Sequence, residues 1–98
     1  MKVDISKRAR RHSDRINARW AQRGDDSRLY AREFLDAVKH LETVGQPGTP
    51  CATRKRPGLR RLLLEKSKCH VYFVVDEELD LLTIVDVWNG QRGQLPKL

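Results

Sequence analysis

Residues 59–88 read Leu59-Arg-Arg-Leu-Leu-Leu-Glu65, Lys66-Ser-Lys68, Cys69-His-Val-Tyr-Phe-Val-Val75, Asp76-Glu-Glu-Leu-Asp80, Leu81-Leu-Thr-Ile-Val-Asp-Val-Trp88, and they decide the fold. Three runs rich in β-branched, aromatic and leucine side chains alternate with two short polar breaks, a strand-turn-strand-turn-strand pattern. Breaks of three and five residues are too short for a crossover helix, so neighbouring strands must run antiparallel, as a meander. Alternation along a strand sets Arg60, Leu62 and Leu64 on one side, with Arg61 and Leu63 on the other. On the next strand His70, Tyr72 and Val74 share a face opposite Val71, Phe73 and Val75. The more apolar Val71 face is expected to be covered by helices. The His70 and Tyr72 face is expected to be open.

Working toward the N-terminus, residues 46–58 hold three of the four prolines and read as a loop. Before it, Tyr30, Phe34, Ala37, Val38, Leu41 and Val44 recur at three- and four-residue steps, an amphipathic helix closed by Gly45 and Pro47. Asp25, Asp26 and Ser27 suit its N-terminus. An earlier basic helix starts at the N-cap candidate Ser6 and carries Ala9, Ile16 and Trp20 at helical spacing, ending near Gly24. Val3 and Ile5 alternate with Lys2 and Asp4 as a short first strand. The chain is therefore read as one domain, 1–98: strand 1–6, helical hairpin 7–45, loop 46–58, three-strand meander 59–88 and tail 89–98. The fold class is α+β, a two-layer β-α-α-β-β-β arrangement in which a helical hairpin packs an antiparallel sheet. Two helices between the first and second strands are expected to bring the first strand into the sheet antiparallel.

Composition limits the function classes. The 98 residues carry 20 Lys and Arg against 13 Asp and Glu, a formal charge of +7. Residues 1–20 hold seven basic and two acidic side chains, and residues 53–68 hold seven basic side chains and only Glu65. Five acids and no base occupy 76–86. Such basic patches suit a polyanion or an acidic protein partner. No apolar run approaches a membrane span, and Met1–Arg11 lacks the apolar core of a secretory signal, so a cytoplasmic location is expected. Cys51 and Cys69 lack CxxC spacing and read as free thiols. Together with His70 they match no zinc module, and no cofactor is expected.

No phosphate loop, glycine elbow or paired-carboxylate motif is present. His12 and His40 read as ordinary residues of polar helices. The strongest constellation is cationic: Arg54, Lys55 and Arg56 in the loop feed into Arg60 and Arg61. Lys66, Lys68, His70, Tyr72 and Arg92 extend the cluster. Guanidinium groups grip phosphates in a bidentate fork, and a tyrosine ring can stack a base.

The segments Leu-Arg-Arg-Leu-Leu-Leu (59–64), Cys-His-Val-Tyr-Phe-Val-Val-Asp (69–76) and Ile-Val-Asp-Val-Trp-Asn-Gly-Gln-Arg-Gly (84–93) resemble the RelE/ParE superfamily of type II toxin-antitoxin toxins. The resemblance spans nearly the whole chain. It implies a growth-inhibiting toxin, of the kind also tied to plasmid stabilisation, that a cognate antitoxin neutralises in a hetero-oligomer. Within the family, two modes differ in kind. ParE-like members bind DNA gyrase, whereas RelE-like members cleave mRNA on the ribosome. An endoribonuclease would draw on Arg61, His70 and Arg92 as catalytic groups. A target-binding role would use Arg54, Lys55, Arg56, Arg60, Arg61, Lys66, Lys68, Tyr72 and Arg92. His70 stands where mRNA-cleaving members usually carry Arg, and the chain ends in Pro-Lys-Leu without the His-Tyr pair that some of them carry. Asn89-Gly90-Gln91-Arg92 keeps the Arg of a ParE-like His-Gly-Ala-Arg segment and lacks its His. With no complete acid-base set, the residues favour the gyrase-directed binder. A small basic nucleic-acid-binding module without toxicity is the third reading.

Overall fold

Val71 and Phe73 are fully buried on the central strand of a five-stranded sheet. The computed structural model describes residues 1–44, 48–51 and 54–89. The tail reading, and Arg92 with it, lies outside the described residues. The elements are β1 (Lys2–Ile5), α1 (Lys7–Ala21), α2 (Leu29–Val44), β2 (Thr49–Pro50), β3 (Arg60–Leu64), β4 (Cys69–Asp76) and β5 (Leu81–Asn89), with a 3₁₀ turn at Gly24–Asp26. They form one five-stranded sheet in the order β1-β5-β4-β3-β2. No helix among the described residues is long and apolar enough to cross a membrane.

The meander forms as expected: β3 pairs β4 and β4 pairs β5, both antiparallel. The sense of β1 does not. It runs parallel to β5, with Val3 opposite Leu82 and Ile5 opposite Ile84, so the sheet is mixed. The reason is β2, a two-residue strand inside the segment read as loop. It pairs antiparallel with the start of β3, Thr49 opposite Arg61 and Pro50 opposite Arg60. The helices do return the chain antiparallel to β1, but into β2. The turn from Cys51 to Leu59, closed by Cys51 N–H donating to the Leu59 carbonyl (2.8 Å), then reverses it once more. Gly48 permits this approach. Its φ is +83°, and a Cβ there would collide with the Arg61 carbonyl.

Ser6 caps α1 as its position suggested: its hydroxyl accepts from Ala9 N–H (3.0 Å) and donates to the Val85 carbonyl (3.0 Å). One residue thus stops β1, starts α1 and ties both to β5. The helix ends at Ala21, short of Gly24, which instead opens the 3₁₀ turn with φ +65°. Ala9 and Ile16 from α1 and Tyr30, Ala37 and Leu41 from α2 pack on Leu64, Val71, Phe73, Leu82, Ile84 and Val87. The helices therefore cover the Val71 face. The Tyr30 hydroxyl meets Ser13 Oγ at 2.7 Å between the two helices, and burial raises its pKa far above the ordinary tyrosine range. Cys69, at the start of β4, is buried, which also raises its thiol pKa.

The β3–β4 turn is held from α2. Glu33 accepts from Lys66 N–H (2.8 Å), Ser67 N–H (2.9 Å) and Ser67 Oγ (2.7 Å). Partial burial pushes its carboxyl pKa up, but the bonds from Ser67 and Lys66 outweigh that and hold it below its ordinary value. A depressed carboxyl pKa stabilises the fold above the unfolded value, and that contribution fades as pH falls through the folded one. Glu33→Gln is accordingly expected to cost about 1 kcal/mol at neutral pH, the deficit shrinking in acid below its ordinary value of 4.5. Urea titrations of parent and variant at pH 7 and pH 3.5 check this; a deficit unchanged by pH would contradict it.

Candidate functional site on the open sheet face

The face turned away from the helices is built by Arg61 and Leu63 on β3 and by His70 and Tyr72 on β4. Register sets Arg61 opposite Tyr72 and Leu63 opposite His70. This face is not a bare platform. Leu59, Tyr72 and Val85 form a second buried cluster, flanked by Cys51, Val74 and Trp88. Tyr72 is only 2% exposed. It packs across the strands and offers no open ring surface on which a base could stack, a correction to the role expected of it. Burial raises its pKa first, and the nearby Cys51 adds to that, while the hydrogen-bonded Arg61 guanidinium opposes both.

Arg61, His70 and Tyr72 are brought together. The His70 and Tyr72 rings stack with centroids 6.2 Å apart and planes 20° from parallel. Burial, then the Arg61 charge, lowers the His70 pKa, so the ring is neutral at pH 7. Its Nδ1 is buried with no hydrogen-bond partner among the described residues. A neutral imidazole beside a guanidinium can accept a proton or a hydrogen bond, and Arg61 can hold an anionic group next to it.

The remaining cations divide. Arg54, Lys55 and Arg56 are exposed on the turn that enters β3. Arg60 faces the opposite side of the strand, where its guanidinium donates to the Gly48 carbonyl (3.0 Å). Lys66 and Lys68 sit in the β3–β4 turn, at the other end of β3, about 13 Å of strand away. Lys66 lines a hollow against α2 with Arg28, Arg32 and Asp36. Those two lysines therefore do not join the cluster around Arg61.

A second constellation escaped the sequence reading. The Asp86 side chain is fully buried, with Arg8 Nε 3.2 Å from Oδ2. His12 Nδ1 bonds Oδ1, and Val87 N–H donates to the same oxygen (2.8 Å). His12 is thus no ordinary surface residue. A β-bulge lies beside it: Tyr72 opposes Asp86 while Phe73 opposes Ile84, leaving Val85 as the extra residue on β5. Past the bulge the alternation changes phase. Ile84 and Val87, three residues apart, both enter the helix-side core, while Asp86, opposite Tyr72 in register, reaches Arg8 and His12 of α1. The signals in the sequence were a lone acid inside an apolar strand and the Arg8–His12 spacing of four.

No protein-family model and no curated protein matches the sequence. Solved structures do. A chain of the chromosomal ParDE TA system from P. aeruginosa superposes with a TM-score of 0.73 at 24% identity, over 91% of this chain and 95% of that one. The isolated E. coli RelE toxin superposes with a TM-score of 0.55 at 17% identity, over 90% of this chain and 82% of that one. Two helices on a five-stranded mixed sheet, in this order and over nearly the full length, are the RelE/ParE-like fold.

Proposed function

We propose that this chain is the toxin component of a type II toxin-antitoxin pair, ParE-like in acting on DNA gyrase by binding. The observation that carries this reading is the fold likeness, closer and more complete for the ParDE chain than for RelE. The open face agrees with it. Tyr72 is buried, and Asp86, its register neighbour, is committed to Arg8 and His12. The face then presents Arg61, His70 and the exposed Arg54–Arg56 turn as a docking surface more readily than as an acid-base pair. A cytoplasmic antitoxin that covers this surface needs acidic side chains opposite Arg54, Lys55, Arg56 and Arg61, since buried unpaired cations are costly. Arg92 is proposed as a further cationic contact of that surface.

Induced expression of the chain alone is expected to arrest growth, with relief on co-expression of the adjoining reading frame. Accumulating DNA breaks with intact messages support gyrase as target. Codon-positioned cuts seen by primer extension would instead assign the RelE-like endoribonuclease. Healthy growth at full expression, with salt-sensitive nucleic-acid binding, would leave the basic binding module.

A further inference from the structure

Arg8, His12, Arg15 and Arg19 fall at i, i+4, i+7 and i+11 of α1, a single stripe about 16 Å long. The stripe borders a cleft between α1 and the end of β5, lined by His12, Arg15, Arg19, Trp88 and Asn89 over a floor of Ile16 and Val87. The cleft shares none of its lining residues with the Arg54–Arg61 cluster. Its parts are arranged from within. An ionised carboxylate only accepts hydrogen bonds, so Asp86 fixes the His12 proton on Nδ1 and leaves Nε2 as the nitrogen available to a ligand. The His12 ring stands edge-on to Trp88, centroids 6.3 Å apart at 64°. Arg8 is held by Asp86, whereas Arg15 and Arg19 are exposed. Asp14 is the one acid on α1, and it lies 100° around the helix from Arg15, off the stripe.

We propose that this cleft is a binding site for the backbone of single-stranded nucleic acid. Arg15 and Arg19 take successive phosphates, His12 Nε2 accepts from a base N–H or a sugar hydroxyl, and the half-buried Trp88 indole meets a base. Two guanidiniums one turn apart, about 6 Å along the axis, match a repeating phosphate chain. A flat aromatic lining the same cleft suits any base, as in sequence-tolerant single-strand sites. An acidic protein segment would satisfy the arginines, but only a nucleic acid repeats a phosphate and a planar base at every unit. The proposal does not rest on the toxin reading, so the growth assay can fail without touching it.

Trp88 provides the readout. In the full chain carrying Trp20→Phe, Trp88 is the only tryptophan. Oligo(dT) and oligo(U) are expected to quench its emission on binding. Arg15→Gln/Arg19→Gln is expected to weaken binding at least tenfold and to reduce the slope of log K against log salt by about 1.4, two phosphate contacts on a single strand. Arg15→Lys/Arg19→Lys, which keeps the charge without the fork, is expected to recover part of the affinity and guards against misfolding of the Gln pair. Replacing Arg54, Lys55 and Arg56 by Gln is expected to leave the quenching in place. Unchanged affinity or slope in the Gln pair, oligonucleotide binding that leaves Trp88 emission untouched, or equal affinity for polyglutamate of matched charge would overturn the proposal.

Discussion

Asp86→Ala is expected to lower the unfolding free energy by about 2–4 kcal/mol, read as a lower urea midpoint at unchanged slope. The carboxylate is fully buried, is ion-paired with Arg8 through Oδ2, and at Oδ1 bonds His12 and the Val87 amide. Removing it leaves the amide without a partner inside the protein, and the Arg8 guanidinium and His12 ring facing a small cavity. The figure sits below the usual cost of breaking a buried pair because the Arg8 and His12 side chains are 41% and 23% exposed and can regain water. Asp86→Asn keeps the shape and can still accept from the Val87 amide, so it is expected to cost about half as much. Because α1 meets β5 at this point, the alanine variant should also lose helix α1 before the meander in hydrogen exchange. Equal stability of Asp86→Ala and parent would mean that the constellation contributes nothing to the fold.

Phe73→Ala is expected to cost about 3–5 kcal/mol, a large share of what a domain of this size has to lose. Phe73 is fully buried where both helices meet the sheet, among Ala9, Tyr30, Leu41, Val71 and Ile84. Truncation leaves a cavity that the flanking strands cannot close, since each is held on both sides by its neighbours. Leu63, on the open face of the adjacent strand, is 44% exposed, and Leu63→Ala is expected to stay within about 0.5 kcal/mol of the parent. Thermal unfolding of the two variants side by side tests which face the helices cover. A large loss for Leu63→Ala with a small one for Phe73→Ala would reverse the assignment.

Much of the architecture was legible because it follows from local periodicity. The two-residue period of 69–75 put Val71 and Phe73 on one face, and that face is the one the helices cover. The three- and four-residue steps from Tyr30 to Leu41 marked α2, and Ser6 marked the start of α1. These are properties of a chain segment by itself: side-chain direction, turn length and the need of a helix end for a hydrogen-bond acceptor. The open face with Arg61 and His70 could be read in the same way, since alternation alone places them together.

What the sequence could not determine depends on how separate segments meet. Thr49–Pro50 has too few residues for any period, so β2 exists only because β3 offers an edge beside Gly48, and that extra reversal sets the parallel sense of β1. Lys66 and Lys68 share a charge run with Arg61 in sequence, yet the length of β3 carries them to the other end of the sheet. Tyr72 lay on the predicted face, but only the arrival of Leu59 and Val85 buries it. The phase change at the bulge came from the pairing of β4 with β5 and brought Val87 into the core, while Asp86 meets Arg8 and His12, the latter 74 residues earlier in the chain. Periodicity reports which way a side chain points from its own backbone, whereas burial and charge pairing depend on what another segment brings to it, and only the tertiary structure supplies that.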